Sequence, residues 1–403
     1  MYKFLPFMTN DYSTGLFNED TDDIYHSAFG ALTEAYEKFV NPVNIEDFLD
    51  SKKELSVLDI CYGIGYNTKA LLNEFIKLKN SDSKISVDAV DSDKILMELS
   101  PIISARINFF KRFIEKDKLY INISSYETAK KIIEKNKLKN DKYNLNEKVN
   151  ILILNSLIKN FGEKFLSDYT KKILASENYS PFFNDYILYF IKNYTKTGMY
   201  LHLKTNKSTF VHNIYYKYIS KRYIIEAKKT SDGGYIPSNT DLTSDITLSF
   251  YAEDIRTYIK RCSKSYDIVL LDGFTPSKCP CIWSLDFFNK LSAMISYDGV
   301  IVTYNTSAPV RNALKQTGFY IGNTKNIFGK ISGTIASKNK SKIKYPLSDK
   351  EFGLLDTKAG VVYRDDNLSL DNDTILINRK REVENSNLLS SSKYLKTGRL
   401  YGK

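Results

Sequence analysis

Residues 266–322 read YDIVLLDGFTPSKCPCIWSLDFFNKLSAMISYDGVIVTYNTSAPVRNALKQTGFYIG, and the order of apolar runs and helical periods in this stretch decides the fold. Ile268 to Leu271 is an unbroken apolar run, which predicts a parallel strand buried on both faces. It ends on Asp272, at the carboxyl end of the strand, where open α/β sheets bind their ligands. Gly273, Pro276 and Pro280 then force a loop, the lone Trp283 follows, and a helical period appears at Leu285, Phe288 and Leu291. A second strand, Val300 to Tyr304, leads through Pro309 into another helix.

Working outward, Ser56 to Ile60 reads as a short strand, followed by a turn, Cys61 to Asn67, and a helix from Thr68. Residues 85–91 form the next strand and finish on Asp91. Residues 102–223 are mostly helical in pattern, and 231–245, with Gly233, Gly234 and Pro237, read as a loop. Strand signals return at Ile246 to Tyr251, Gly318 to Ile321 and Thr334 to Ala336. With residues 101–245 set aside, strands and helices alternate, which predicts a doubly wound parallel α/β sheet. The expected organisation is an N-terminal covering segment (1–50), a core (51–100 and 246–340), an inserted basic helical block (101–245) and a C-terminal tail (341–403). The N-terminal segment has a turn-rich start and then a helical period at Leu32, Tyr36 and Phe39.

Charge is unevenly placed. Of a formal net charge of +11, residues 101–245 carry all, with 25 Lys+Arg against 14 Asp+Glu, and the rest holds 33 of each sign. A basic excess confined to one block suits a phosphate-backbone partner, although lysines that merely solvate helices give the same count. No apolar run approaches the roughly eighteen residues of a membrane helix, and the first ten residues make a poor signal peptide, so a cytoplasmic protein is expected. Cys61, Cys262, Cys279 and Cys281 do not make a disulfide scaffold, and the single residue between Cys279 and Cys281 is not zinc spacing. Free thiols and no metal are expected.

The stretch Asp272, Gly273, Phe274, Pro276, Lys278, Pro280 and Trp283, with Thr303, Tyr304, Val310 and Arg311 at matching spacing, closely resembles the methyltransferase family that makes 5-methylaminomethyl-2-thiouridine at the tRNA wobble position. His26, Ser27, Gly30, Ala31, Glu34 and Ala35 resemble the H-S-x-x-G-A-x-x-E-A segment of the same family, and residues 346–403 resemble the tail of some members. The flanks match well and the middle poorly. The resemblance implies a class I S-adenosylmethionine-dependent methyltransferase fold, with S-adenosylmethionine as cofactor and tRNA as partner. The chain carries no fused flavin oxidoreductase fingerprint, so methylation alone is expected.

The residues themselves support an acidic ligand pocket. Asp59, Gly63 and Gly65 lie on a strand-to-helix turn, where missing side chains let a ligand approach the backbone. Cys61 stands where the family pattern has its first glycine, which puts the strength of cofactor binding in question. A strand-end carboxylate such as Asp91 can accept from both ribose hydroxyls or cap the next turn. Asp254, by resemblance, reads the adenine amino group, and Asn67 belongs to the same cofactor loop. Asp59, Asp91, Asp254 and Asp272 at one edge favour a cationic ligand. Asp272 is the candidate catalytic residue, able to orient the substrate amine and receive its proton. Phe274, Trp283 or Tyr304 could stack on the base, with Trp283 equally readable as a core residue. Glu34 and Lys278 join them as substrate-side candidates, with Glu34 equally readable as a solvent-facing helix residue. Arg311 either binds phosphate or pairs with a carboxylate. Two other functions remain open: a polyamine-synthase-like aminopropyl transferase, and a catalytically inactive methyltransferase fold that binds RNA.

Overall fold

The computed structural model describes residues 4–9, 11, 13–18, 23–25, 30–101, 147–162, 166–174, 227–229, 235–237, 245–326 and 328–398. Most of the expected basic block, with His26 and Ser27, lies outside the described residues. Two compact units emerge: Met1–Tyr36, Gly63–Lys84 and Asp93–Phe250 form one, and Glu37–Tyr62, Ile85–Ser92 and Tyr251–Lys403 the other. Compactness thus divides the chain differently from composition.

The main sheet has seven strands: β4 (Glu54–Ile60), β5 (Lys84–Asp91), β8 (Ile246–Ala252), β9 (Tyr266–Leu271), β10 (Ile295–Thr303), β11 (Tyr320–Lys325) and β12 (Ile331–Ser337). Their order is β11-β12-β10-β9-β4-β5-β8. The chain fills one side of β4 through β5 and β8, then returns to fill the other from β9. The gap between β4 and β9 is therefore the topological switch point, the usual ligand crevice of such sheets. Strand β9 is parallel to β4 and β10, as expected. The sheet is not wholly parallel, however, because β12 runs antiparallel to both β10 and β11. Every residue of β9 is buried, which explains its unbroken apolar run. The core of the second unit gathers Leu58, Ile60, Val269, Leu271, Trp283, Phe287 and Leu291 around this strand.

Three strands differ in extent from the reading above. Strand β10 begins at Ile295, five residues early, through an irregular register with β9. Strands β11 and β12 run longer because their polar residues, Asn323, Thr324 and Thr334, are buried and paired. Residues 235–237, expected in a loop, form β7 (Tyr235–Pro237) against β6 (Ala227–Lys229).

In the first unit, the turn-rich start is a three-stranded antiparallel sheet, β1 (Phe4–Met8), β2 (Thr14–Asn18) and β3 (Asp23–Tyr25). The turn between β1 and β2 caps a helix: Asp11 Oδ2 accepts from Thr33 N at 2.7 Å and Ser13 Oγ from Ala31 N at 2.9 Å. The helix Tyr66–Leu78 buries Lys69 completely, with its Nζ donating to the Ser100 carbonyl at 2.7 Å. Glu98, also fully buried, accepts from Ser167 N, Ser167 Oγ and Thr170 Oγ1 at the start of the helix Asp168–Leu174.

Candidate active site

The site in the second unit grows from one row across the sheet. Ile60, Leu271 and Thr303 are register partners at the carboxyl ends of β4, β9 and β10. The next residue on each strand is Cys61, Asp272 and Tyr304. Asp272 N donates to the Ile60 carbonyl at 3.2 Å, and the Cys61 and Tyr62 amides donate to the Val90 carbonyl at 3.0 and 3.1 Å. The chain ends of β4, β5 and β9 are thereby tied together at the switch point.

The peptide units after Asp272 are held one by one. The Tyr304 hydroxyl donates to the Gly273 carbonyl at 2.9 Å, and Trp283 Nε1 donates to the Phe274 carbonyl at 2.8 Å. The Trp283 and Tyr304 rings meet edge to face at 6.1 Å. Gly273 packs closely here: a Cβ would meet the tip of the Ile282 side chain and lie 3.1 Å from the Cys61 sulfur, so Ile282 would have to shift. Of the two readings of Trp283, burial favours the core residue: it is 0% exposed and positions the loop. Tyr304 and Phe274 are half-buried, and Lys38 Nζ lies 5.6 Å from the Tyr304 ring centroid.

Three of the four expected carboxylates converge. Burial first, then the charges of Asp91, Asp272, Cys281 and Asp59, push the Cys61 thiol well above its ordinary range. Asp59 is fully buried and Asp91 and Asp272 partly so. A group surrounded this way stays neutral as a thiol, and the acidic surroundings suit a cation such as a sulfonium or an alkylammonium. Cys61 has φ 62°, the left-handed conformation, and Gly63 and Gly65 follow at φ 56° and 77°. A glycine takes that conformation without strain, whereas a residue with Cβ accepts a cost of roughly 1–2 kcal/mol. The backbone path of the glycine turn therefore survives the departure at Cys61.

Asp254 stands apart from this cluster. It caps the helix Ile255–Arg261, accepting from Arg256 N at 2.7 Å, and pairs with the Arg256 guanidinium. Arg256 also donates to Asp365 at 3.0 Å and to the Leu370 carbonyl at 2.8 Å. Burial opposes its charge, but the Asp254 and Asp365 hydrogen bonds outweigh burial and raise its pKa. Sequence reasoning missed the pairing of Arg256 with Asp365, since 109 positions separate them. For Arg311 the contacts favour the second of its two readings, pairing with a carboxylate, here Glu351 on another element. It is 5% exposed and donates to Thr334 Oγ1, Glu351 Oε1 and Asn323 Oδ1 at 2.9, 3.3 and 2.6 Å. Its fork stitches β11 to β12 and is not presented to phosphate. Lys278 is exposed on the loop, with its carbonyl accepting from Asn372 at 3.3 Å.

Glu34, Gly63, Gly65 and Asn67 belong to the first unit. Glu34 is half-buried in the helical stretch after Gly30. Asn67 is buried in the first turn of the helix Tyr66–Leu78, whose N-cap is Gly65. Ser100 Oγ donates to the Ile64 carbonyl at 2.9 Å and so fixes the turn from behind. Among the described residues no group of His, Cys, Asp and Glu is arranged to hold a metal, and no helix is long and apolar enough to cross a membrane. Cys279 and Cys281 are free thiols 3.5 Å apart.

Comparison with known proteins agrees with this geometry. Residues 234–339 match a family model described as S-adenosyl-L-methionine-dependent methyltransferase. An uncharacterized protein of Methanocaldococcus jannaschii, MJ0670, is 29% identical over 153 residues, 37% of this chain and 43% of that one. The tRNA 5-methylaminomethyl-2-thiouridine biosynthesis bifunctional protein MnmC of Campylobacter hominis is 28% identical over 115 residues, 28% of this chain and 17% of that one. The similarity thus spans less than half the length of these curated relatives. The crystal structure of MNMC2 from Aquifex aeolicus superposes with a TM-score of 0.54 at 19% identity, covering 96% of this chain and 87% of that one, which establishes the fold. The acidic switch-point cluster thus sits in a chain that has the fold of that structure and that is similar, over residues 234–339, to the S-adenosyl-L-methionine-dependent methyltransferases.

Proposed function

We propose that the protein N-methylates 5-aminomethyl-2-thiouridine at the tRNA wobble position, giving 5-methylaminomethyl-2-thiouridine. The observation that carries the proposal is the convergence of Asp59, Asp91 and Asp272 about Cys61 at the switch point between β4 and β9. Asp91 would hold the ribose hydroxyls of the cofactor, and the glycine turn with Asn67 its methionyl part. The bound S-adenosylmethionine supplies an electrophilic methyl group on a sulfonium. Aligning an amine with that methyl and excluding water is then the protein's main task.

An alkylammonium must lose a proton before it can attack. Asp272 would accept a hydrogen bond from the amine, orient its lone pair and receive the proton. Its placement is stiff, because the backbone at 272, 273 and 274 is bonded to Ile60, Tyr304 and Trp283 in turn. Half-buried Phe274 is the better stacking candidate now that Trp283 is buried. The roles of Glu34 and Lys278 toward substrate, and of Asp254 toward adenine, rest on the family resemblance.

The test is a single-turnover assay on tRNA carrying 5-aminomethyl-2-thiouridine, read by mass spectrometry of the nucleosides. Asp272→Asn should keep the shape and lower methyl transfer by roughly 10²–10⁴-fold, the range for a positioned acid–base group. In the same protein, Asp91→Ala should weaken cofactor binding by about 1.5–3 kcal/mol. A wild-type protein that binds the cofactor but leaves this tRNA unmethylated would refute the proposal. Activity of the Asp272→Asn protein within a few-fold of wild type would remove Asp272 from the chemistry.

A further inference from the structure

Residues 299–348 contain eight Lys and Arg and not one Asp or Glu, and the fold gathers part of this charge at one place. We propose that the hairpin joining β11 to β12, with the segment that folds back along β11, is a docking surface for the phosphate backbone of RNA. The proposal rests on the tRNA reading above and adds a surface to it.

Position is the first argument. Because β12 is antiparallel to both its neighbours, β11 points the same way as β10 and β9. Asn323, Thr334, Thr303 and Leu271 form one row across these four strands. Lys325, two residues beyond Asn323, therefore leaves the sheet at the edge where Asp272 sits. Three strand spacings separate β11 from β9, about 14 Å at ~4.8 Å each. An RNA whose reacting nucleotide reached Asp272 would have neighbouring phosphates beside this hairpin.

Construction is the second. Asn323 N donates to the Tyr345 carbonyl at 2.7 Å, and Gly322 pairs with Pro346, so the chain after β12 returns along the outer edge of β11. That return sets Lys325 and Lys344 on one aromatic ring: their ammonium groups lie 4.4 and 5.5 Å from the Tyr345 centroid. Among the described residues neither these two nor Lys330 makes an ion pair with a carboxylate, whereas Lys315 and Arg311 nearby are paired with Asp356 and Glu351. Cations held together without a counter-charge are stabilised by an added anion. The hairpin tip is also fixed. Asn326 Oδ1 accepts from Phe328 N and Lys330 N at 3.1 and 3.0 Å, and Asn326 N donates to the Lys330 carbonyl at 2.9 Å. This holds Phe328 in water at 65% exposure, with Ile331 at 52% and Tyr345 at 37%. Exposed aromatics between unpaired lysines match the two needs of RNA, base stacking and phosphate neutralisation.

The experiment is tRNA binding by the full chain across a potassium chloride series. Replacing Lys325, Lys330 and Lys344 together by Ala should lower affinity about tenfold or more and reduce the log–log salt slope by about 2–3, one phosphate contact per lysine. The triple Lys→Arg protein should keep the wild-type slope. Phe328→Ala should weaken binding about fivefold or more and leave the slope unchanged, as loss of one stacked base would. Wild-type tRNA binding that is unaltered in both the triple Ala and the Phe328→Ala proteins, with cofactor affinity intact, would overturn the docking surface and leave the methyltransferase reading standing. A wild-type protein that fails to bind tRNA even at low salt would overturn both.

Discussion

Lys69 gives the structure its clearest pH signature. Burial lowers its pKa from 10.5 to about 7. Its Nζ rests on the Ser100 carbonyl and lies 5.2 Å from the Tyr66 ring centroid. The folded protein therefore binds fewer protons than the unfolded chain between pH 7 and 10.5, and stability must rise with pH through that window. Below pH 7 the full penalty applies, because lysine is charged in both states. A shift of this size corresponds to roughly 4–5 kcal/mol in total, of which roughly 2 kcal/mol is recovered between pH 7 and pH 9. Lys69→Met fills similar space, gives up one hydrogen bond, and removes the titration. Urea unfolding at pH 7 and pH 9 should show wild type gaining about 2 kcal/mol more than Lys69→Met over this interval. Equal gains for the two proteins would refute the buried neutral lysine. Cofactor binding offers a second reading, since Ser100 also holds the Ile64 carbonyl of the glycine turn through its hydroxyl.

Two further outcomes concern Arg311 and Trp283. Arg311→Ala should cost about 1–3 kcal/mol of stability, because Asn323 Oδ1 and Thr334 Oγ1 lose a buried donor, while Glu351 keeps its bonds from Ser348 and Thr334 its bond to the Asn305 carbonyl; an unaltered unfolding midpoint together with a tRNA salt slope reduced by about one would favour a phosphate role for Arg311. Trp283→Phe keeps the ring packing but removes the Nε1 bond to the Phe274 carbonyl, a cost of about 0.5–1.5 kcal/mol; steady-state kinetics should show kcat falling with KM for tRNA unchanged, and a rise in KM alone would favour base stacking instead.

What could be read from the sequence, and what could not, follows from the range of the interactions involved. Strand β9 announces itself because both its faces are buried, so Ile268 to Leu271 form an unbroken apolar run. Asp272 is legible for the same reason, as the first charge after that run. Strand β11 read as ending too early because Asn323 and Thr324 look like surface residues until Arg311 is seen to satisfy Asn323 across the fold. The N-terminal sheet was hidden because Pro6 and Gly15 interrupt β1 and β2, where such residues read as turn, and β3 has only three residues. The net charge of the segments outside 101–245 hid the lysine-rich hairpin, since acidic residues elsewhere cancel it in the count but not in space.

The family motif marks positions that matter without saying whether they touch the substrate. The structure supplies a reason for its spacing that is independent of substrate contact. After β9 the chain must leave the sheet with Asp272 held beside β4, and each peptide unit of the exit is fixed by a different partner. Ile60 takes the amide of residue 272, Tyr304 the carbonyl of 273, and Trp283 the carbonyl of 274. Tyr304 can reach because it lies one residue past Thr303, the register partner of Leu271. Trp283 can reach because the short 3-10 turn Pro280–Trp283 brings the loop back over the sheet. Gly273 lets the Ile282 side chain and the Cys61 sulfur close over the backbone. The motif's aromatic and glycine positions are thus the clamps, and Asp272 is the group they aim.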